Sequence, residues 1–436
     1  MSSEYFRVVE HEVPCQHIRE YPRATSAGQE DTLSLAVKQY IPLDNLSPQP
    51  GDITVIGAHA NGFCKELYEP LWDEIHARSK QHGFRIRSIW IADFAVQGQS
   101  YVSNEDRLGN DPSWFDHSRD LLNLVNLKRA DMPRPIIGIG HSMGGNQLVN
   151  LALMHPRLLS SLVLMDPVIQ RHHARSGEQS KDGAFSNVPM TAKLSSYRRD
   201  VWPSREDAAQ GFKKSKFYQA WDPRVLDRYI QHGLRDLPTA IHPSDNVTPA
   251  NGKSPVTLTT PLHQEVFTFV RPNYTKAGLP VNRVTHPDLD PTVTGGYPFY
   301  RPEPPMTFYR LPHLRPSVMY VFGDKSELST PALRKDKMDF TGTGYGGSGG
   351  AVEGRVQSVC FEGMGHLFPL EIVDKCADVA ADWVGAEMRL WREQEAAFNA
   401  EWSQKSSIEK ATIDEAWKQN IGPPLGRKPQ TQKPNL

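Results

Sequence analysis

Cysteine is scarce in this chain of 436 residues: Cys15, Cys64, Cys360 and Cys376 are the only four, and they lie far apart. They form neither CxxC pairs nor a disulfide ladder, which argues for a reduced compartment rather than secretion. Charge of one sign is not in excess either, since 49 basic and 50 acidic residues leave a formal net charge of −1. That removes the electrostatic footprint of a nucleic-acid binder, so no nucleic-acid partner is expected. No apolar run reaches the roughly 18 residues that a membrane span requires. The N-terminal MSSEYFRVVEHEVP lacks the apolar stretch of a signal peptide. A soluble intracellular protein without a transmembrane segment is the expectation. Metal-ligand spacing is missing as well, because His172-His173 has no partner at a usable interval. The Gly-rich TGTGYGGSGG at 341–350 lacks the following Lys-Ser/Thr and helix of a phosphate cradle and reads as a flexible loop. Neither a metal nor a cofactor is expected.

What the chain does have is rhythm. YFRVVEHEV and LSLAVKQYI alternate in the manner of strands. DITVIGAHANGF is a buried-strand run that breaks into a turn at His59. KELYEPLWDEIHARSKQ follows with Leu67, Leu71, Trp72 and Ile75 on one helical face. FRIRSIWIADF, SWFDHSRDLLNLVNLKR, PRPIIGIGHSMGGNQLVNLALMHP and SSLVLMDPVI continue as strand, helix, strand-turn-helix and strand. This alternation predicts an α/β fold with a mostly parallel sheet and helices on both faces. The rhythm stops at Pro167 and resumes with PSVMYVFGD after Pro316. A polar, Pro-rich insertion of that length inside one sheet predicts a lid at about 167–316. We expect N-terminal strands in 1–49, the main domain in 50–390 and a charged helical tail in 391–436. Met388, Trp391, Phe398 and Trp402 fall on one face of that tail, which suits packing on the body or contact with a second copy in a homodimer.

One turn carries chemistry. Gly140-His141-Ser142-Met143-Gly144 fits G-x-S-x-G, with a strand-like IIGI before it and a helical NQLVNLAL after it. A serine on a sharp strand-to-helix turn is forced into strained backbone angles, and only small neighbours at 140 and 144 leave room. The turn lifts the hydroxyl above the sheet as a nucleophile. Its base is expected at His366, in FEGMGHLFPLE after the last strand, flanked by Gly363 and Gly365. A carboxylate must orient that imidazole. Asp166 at the end of LVLMD is the first candidate, with Asp324 in YVFGDKSEL and then Glu327 as alternatives. The developing oxyanion needs two backbone N–H donors, expected from Met143 after the nucleophile and Asn61 in the turn after VIGAHANGF.

With these residues placed, the sequence resembles the α/β-hydrolase superfamily over 50–390. More narrowly it resembles fungal peroxisomal α/β-hydrolases, which include the acyl-CoA hydrolase (type I acyl-CoA thioesterase) of mycophenolic acid biosynthesis, toxin-biosynthesis hydrolases and the yeast peroxisomal lipase. KELYEPLWDEI, PRPIIGIGHSMGGN, LMDPVIQ, DVWPSRE, PVTLTTP, YRPEP, GGSGG with GRV soon after, and GMGH carry that resemblance. The usual acid slot of the superfamily, three residues after the glycine of strand seven, holds Ser326 here. In the acyl-CoA hydrolase the acid follows strand six, which carries onto Asp166. Two departures stand out. The His-Gly of the oxyanion turn is His59-Ala60, and the peroxisomal S-K-L-type ending is Pro434-Asn435-Leu436, which keeps only the leucine.

The resemblance implies a serine hydrolase that cleaves an acyl-CoA thioester in fungal secondary metabolism. Basic insertion residues (Arg171, Arg175, Lys181, Lys213, Lys214) are candidates to meet CoA phosphates or, equally, to form a solvated polar lid surface. The same residues serve an oxyester, so an esterase or lipase is the alternative, and a catalytically silent ligand-binding hydrolase fold is the alternative from another class. If the C-terminal tripeptide is read by the peroxisomal import receptor, the protein resides in the peroxisomal matrix; otherwise it is cytoplasmic.

Overall fold

A computed structural model describes residues 2–171, 188–243, 252–276, 278–289 and 298–424. His172-His173, Arg175, Lys181 and the C-terminal Pro434-Asn435-Leu436 lie outside the described residues. The chain divides into two compact units, 1–387 and 388–436.

The first unit is built on an eight-stranded sheet: β1 (Phe6–Pro14), β2 (Ser34–Pro42), β3 (Ile53–Ala58), β4 (Ile86–Ala92), β5 (Ile136–His141), β6 (Ser161–Met165), β7 (Ser317–Gly323) and β8 (Val356–Phe361). Their order is β1-β2-β4-β3-β5-β6-β7-β8. Only β2 runs against the rest. Strands β3, β5, β6 and β7 are buried along their whole length. Their sequences are accordingly continuous apolar runs rather than alternating ones. The first 49 residues join this same sheet, β1 pairing with β2 at nine positions and β2 with β4 at four.

The connections are helical, as parallel pairing demands. Helix α1 (Glu69–Ser79) links β3 to β4, α2 (Trp114–Leu127) links β4 to β5, and α3 (Met143–Met154) links β5 to β6. Ser113 caps α2 by accepting the N–H of Phe115. Because the chain leaves β3 for β4 on one side and later proceeds from β5 to β6 on the other, right-handed crossovers set α1 and α3 on opposite faces. The direction of winding reverses between β3 and β5. The crevice beyond the carboxyl ends of those two strands is where such sheets bind ligands.

β6 and β7 are neighbours in the sheet, yet residues 166–316 intervene between them. The described part of this insertion contains helices Met190–Ser196, Arg205–Lys214, Pro223–His232 and Leu262–Phe269. It also holds one three-stranded and one two-stranded antiparallel sheet. The Gly-rich stretch 341–350 follows helix α4 (Pro331–Phe340) and is tied down by backbone bonds. Gly342 N–H reaches Leu311 O at 2.9 Å, Gly344 N–H reaches Pro312 O at 2.7 Å and Ser348 N–H reaches Leu314 O at 3.0 Å. The expectation of a flexible loop is corrected by these bonds: the glycines serve left-handed turns at 342, 346, 349 and 350.

Helix Val373–Ser403 follows β8. In the second unit its last turns stack Phe398 on Trp402 with centroids 6.0 Å apart, and Trp417 and Ile421 of the short helix Glu415–Ile421 are exposed. Among the described residues no helix is long and apolar enough to cross a membrane.

Candidate active site

Ser142 sits between the last residue of β5 and the first of α3, with φ +57° and ψ −118°. A positive φ is costly for a residue with a Cβ, and such strain persists only where the surroundings enforce it. Here the enforcement is visible. Ser142 N–H donates to Met165 O at 2.9 Å, while Ser142 O accepts from Val168 N–H at 3.1 Å and Gly145 N–H at 3.2 Å. The flanking glycines are steric necessities: a Cβ at Gly140 would lie 2.8 Å from the Gly144 backbone, and one at Gly144 only 2.2 Å from Ala58 O.

His366 hangs on the loop after β8, and Asp166 immediately follows β6 with φ +45°. The structure brings both to Ser142. His366 Nε2 lies 2.8 Å from Ser142 Oγ, and His366 Nδ1 lies 2.6 Å from Asp166 Oδ2. An ionised carboxylate only accepts, so the proton sits on Nδ1 and the bare Nε2 accepts from the serine hydroxyl. Such a row can draw the Ser142 proton onto the imidazole as Oγ attacks an electrophile.

Asp166 is fully buried. Burial alone would raise its carboxyl, but the hydrogen bond and charge of His366, with the hydroxyls of Ser326 and Ser329, hold it below the usual carboxylate range. Ser326 Oγ donates to Asp166 Oδ2 at 2.5 Å, and Ser329 Oγ donates to Oδ1. The residue in the superfamily's usual acid slot therefore touches the carboxylate across the sheet. Asp324 instead pairs with Lys325 at 3.2 Å, and Glu327 is exposed at the start of a short 3-10 turn. Neither is among the hydrogen-bond partners of His366.

The turn after β3 lies against the start of α3, since the missing Cβ of Gly144 would meet both Ala58 O and His59 O. Within it, Ala60 N–H is taken by Tyr68 Oη at 2.9 Å and Gly62 N–H by Gln97 Oε1 at 3.0 Å. Between them, the N–H of Asn61 has no partner among the described residues, and neither has that of Met143. The Asn61 side chain is held on both sides: its Oδ1 accepts from Gln97 Nε2 at 2.5 Å, and its Nδ2 donates to Glu265 O of the insertion at 3.0 Å.

Sequence reasoning missed Tyr68, Gln97 and Ser329. Only Ser326 had a signal, as the occupant of a slot that normally holds the acid. Of the basic insertion residues, Arg171 pairs with Asp336 at 2.7 Å and covers the rings of Phe308 and Phe340. That engagement accords with the reading of a polar insertion surface. Lys213 and Lys214 are exposed. Among the described residues no group of His, Cys, Asp and Glu is arranged to hold a metal ion.

A family model described as the alpha/beta hydrolase family matches residues 55–383. The type I acyl-CoA thioesterase mpaH' of Penicillium brevicompactum is 42% identical over 450 aligned residues, covering 100% of both chains. The abhydrolase domain-containing protein AKT2 of Alternaria alternata is 28% identical over 288 residues, which cover 66% of this chain and 97% of that protein. Among solved structures, the peroxisomal α/β-hydrolase Lpx1 of Saccharomyces cerevisiae superposes with a TM-score of 0.63 at 16% identity, over 94% of this chain and 99% of that one.

Proposed function

The chain belongs to the alpha/beta hydrolase family, and from that premise we propose that it hydrolyses an acyl-CoA thioester in fungal secondary metabolism, with Ser142 as nucleophile. The observation that carries the mechanism is the hydrogen-bonded row Ser142–His366–Asp166. The thioester substrate is supported by the Penicillium thioesterase, similar over its full length.

Ser142 Oγ attacks the thioester carbonyl while His366 Nε2 accepts its proton. The tetrahedral oxyanion rests on the N–H groups of Met143 and Asn61, neither of which has a competing acceptor among the described residues. His366 then returns the proton to the departing thiolate and activates a water for deacylation. Asp166 keeps the imidazole in the Nδ1–H tautomer through both halves. The insertion acts as a lid over this crevice; the bond from Asn61 Nδ2 to Glu265 O supports that part. Peroxisomal residence and a homodimeric assembly through the tail complete the reading, the former supported by the compartment named for the yeast structural relative.

The test is thiol release from a panel of acyl-CoAs beside hydrolysis of matching oxyesters, with wild type and Ser142→Ala. Thiol release that disappears in the variant is the expected result. Oxyester turnover alone would replace the thioester by an ester substrate, and silence on both would overturn the hydrolytic role of Ser142.

A further inference from the structure

His141 fills the variable position before the nucleophile and is 1% exposed, so it is placed to support the site rather than to meet substrate. Both of its ring nitrogens are engaged. Nε2 lies 3.0 Å from the main-chain oxygen of His366, and Nδ1 lies 2.9 Å from Tyr68 Oη. A carbonyl oxygen only accepts, so the proton is on Nε2 and Nδ1 is the acceptor. Tyr68 must then donate to it. The same phenol oxygen accepts the Ala60 N–H at 2.9 Å. The result is one directed chain: Ala60 N–H to Tyr68 Oη–H to His141 Nδ1, then His141 Nε2–H to the carbonyl of His366. Its two ends are the neighbour of Asn61 in one loop and the backbone of the proposed base in another.

We propose that Tyr68 and His141 are positioning residues that form a strut across the nucleophile turn, holding the Asn61 loop and the His366 loop in register with Ser142. The inference rests on the serine-hydrolase reading above and adds to it what keeps base and oxyanion donor together. The strut persists across the working pH range. Burial and the neighbouring His366 push the His141 imidazole down to about 3, so it stays neutral with one proton to give. The titratable groups facing it are Tyr68, His366, Asp166 and His59. Successive bonds in a buried chain polarise one another, so loss of one link weakens the next.

The test uses the full-length protein and a fluorophosphonate probe, which phosphonylates an activated serine without presupposing the natural substrate. Tyr68→Phe keeps the ring and deletes only the hydroxyl. It is expected to lower the maximal labelling rate about tenfold, the scale of one ordinary hydrogen bond, with the probe's half-saturating concentration unchanged. His141→Leu should lower it at least as much. The double variant should label no more slowly than His141→Leu alone, because both substitutions cut the same chain. Residues that merely fill space would shift thermal stability and leave the maximal rate in place. Wild-type labelling by Tyr68→Phe, or losses that multiply in the double variant, would overturn the strut. Wild type that fails to label, like a Ser142→Ala control, would overturn the serine-hydrolase reading itself and the strut with it.

Discussion

Replacing Asp166 by Asn changes one oxygen for one nitrogen and should cost between about 10² and 10⁴ in kcat, depending on which way the new amide points. The carboxylate now accepts three side-chain donors: His366 Nδ1 at 2.6 Å and Ser326 Oγ at 2.5 Å on Oδ2, and Ser329 Oγ on Oδ1. If the amide oxygen takes the Oδ2 position, His366 and Ser326 keep their acceptor; the charge is lost, and Ser329 Oγ must turn from donor to acceptor of the new amide. A hydrogen bond to a charged partner is worth about 1.5–3 kcal/mol, and the upper end, which suits a buried bond this short, puts this case near a hundredfold. If the amide nitrogen takes that position, it can bond only to a bare Nδ1. The proton then moves to Nε2, pointing at Ser142 Oγ 2.8 Å away, and no lone pair remains to accept the serine hydrogen. A wrong-tautomer histidine of this kind loses about 10⁴. Asp324→Asn disturbs a partly exposed pair with Lys325 and leaves an amide oxygen to accept the main-chain bonds from Gly363 and Met364, so it should stay within about threefold of wild type. Steady-state thiol release, with far-ultraviolet circular dichroism as the folding control, decides the matter. The reasoning is refuted if Asp324→Asn is the more damaging variant, or if folded Asp166→Asn keeps more than a tenth of the wild-type kcat.

The hydroxyl donors to Asp166 give a pH prediction. Its folded carboxyl is held low, so its contribution to function and stability is present at neutral pH and is lost as pH falls through the folded value. Ser326→Ala and Ser329→Ala each remove a donor to the anion, with His366 and Lys337 as the remaining ionisable neighbours. The acid limb of kcat/KM should move to higher pH in each variant and further in the double one; an unmoved limb in the double variant would sink the idea. Lys337 is buried at 1% exposure, and burial pushes its ammonium down to about 8 despite the nearby charges of Asp166 and Asp336. Carrying that charge in the fold costs about 3 kcal/mol below pH 8, a cost that fades as pH approaches the unfolded lysine value. Lys337→Met should therefore raise urea resistance at pH 7 by up to that amount and by less at pH 10, whereas a loss at pH 7 would contradict the argument. Gly144→Ala forces a Cβ to 2.2 Å from Ala58 O and should destabilise by about 3 kcal/mol. Gly365→Ala, with nothing within 4 Å of the new atom, should leave the unfolding midpoint unchanged.

How far the site was legible in the sequence follows from which interactions are local. A strand buried on both sides must be apolar throughout, so ITVIGA, IIGIGH and SLVLM announce themselves as neighbouring strands of a parallel sheet. The nucleophile turn is equally local, because the crowding that excludes a Cβ at 140 and 144 acts within a few residues of Ser142 and against the adjoining strand. His366 and Asp166 were accessible one step further out, as polar residues at the carboxyl ends of strands, where topology gathers them at one crevice. The partners beyond that step leave no periodic trace. Tyr68 reaches His141 across 73 positions and Gln97 reaches Asn61 across 36, and each reads in the sequence as an ordinary residue of a short helix or turn. Arg171 is a further case, since nothing near it in the sequence announces its pairing with Asp336, 165 positions away. Ser326 stands between these cases. A pattern that expects an acid there and finds a hydroxyl raises a question that the strand alone cannot answer. The answer lies on β6, two strands' width from the loop of His366, where the displaced carboxylate still receives the hydroxyl of the slot it vacated. A site of this kind is specified by the crevice that several strand ends share. A substitution at one strand end is therefore read correctly only together with what the neighbouring strand end presents.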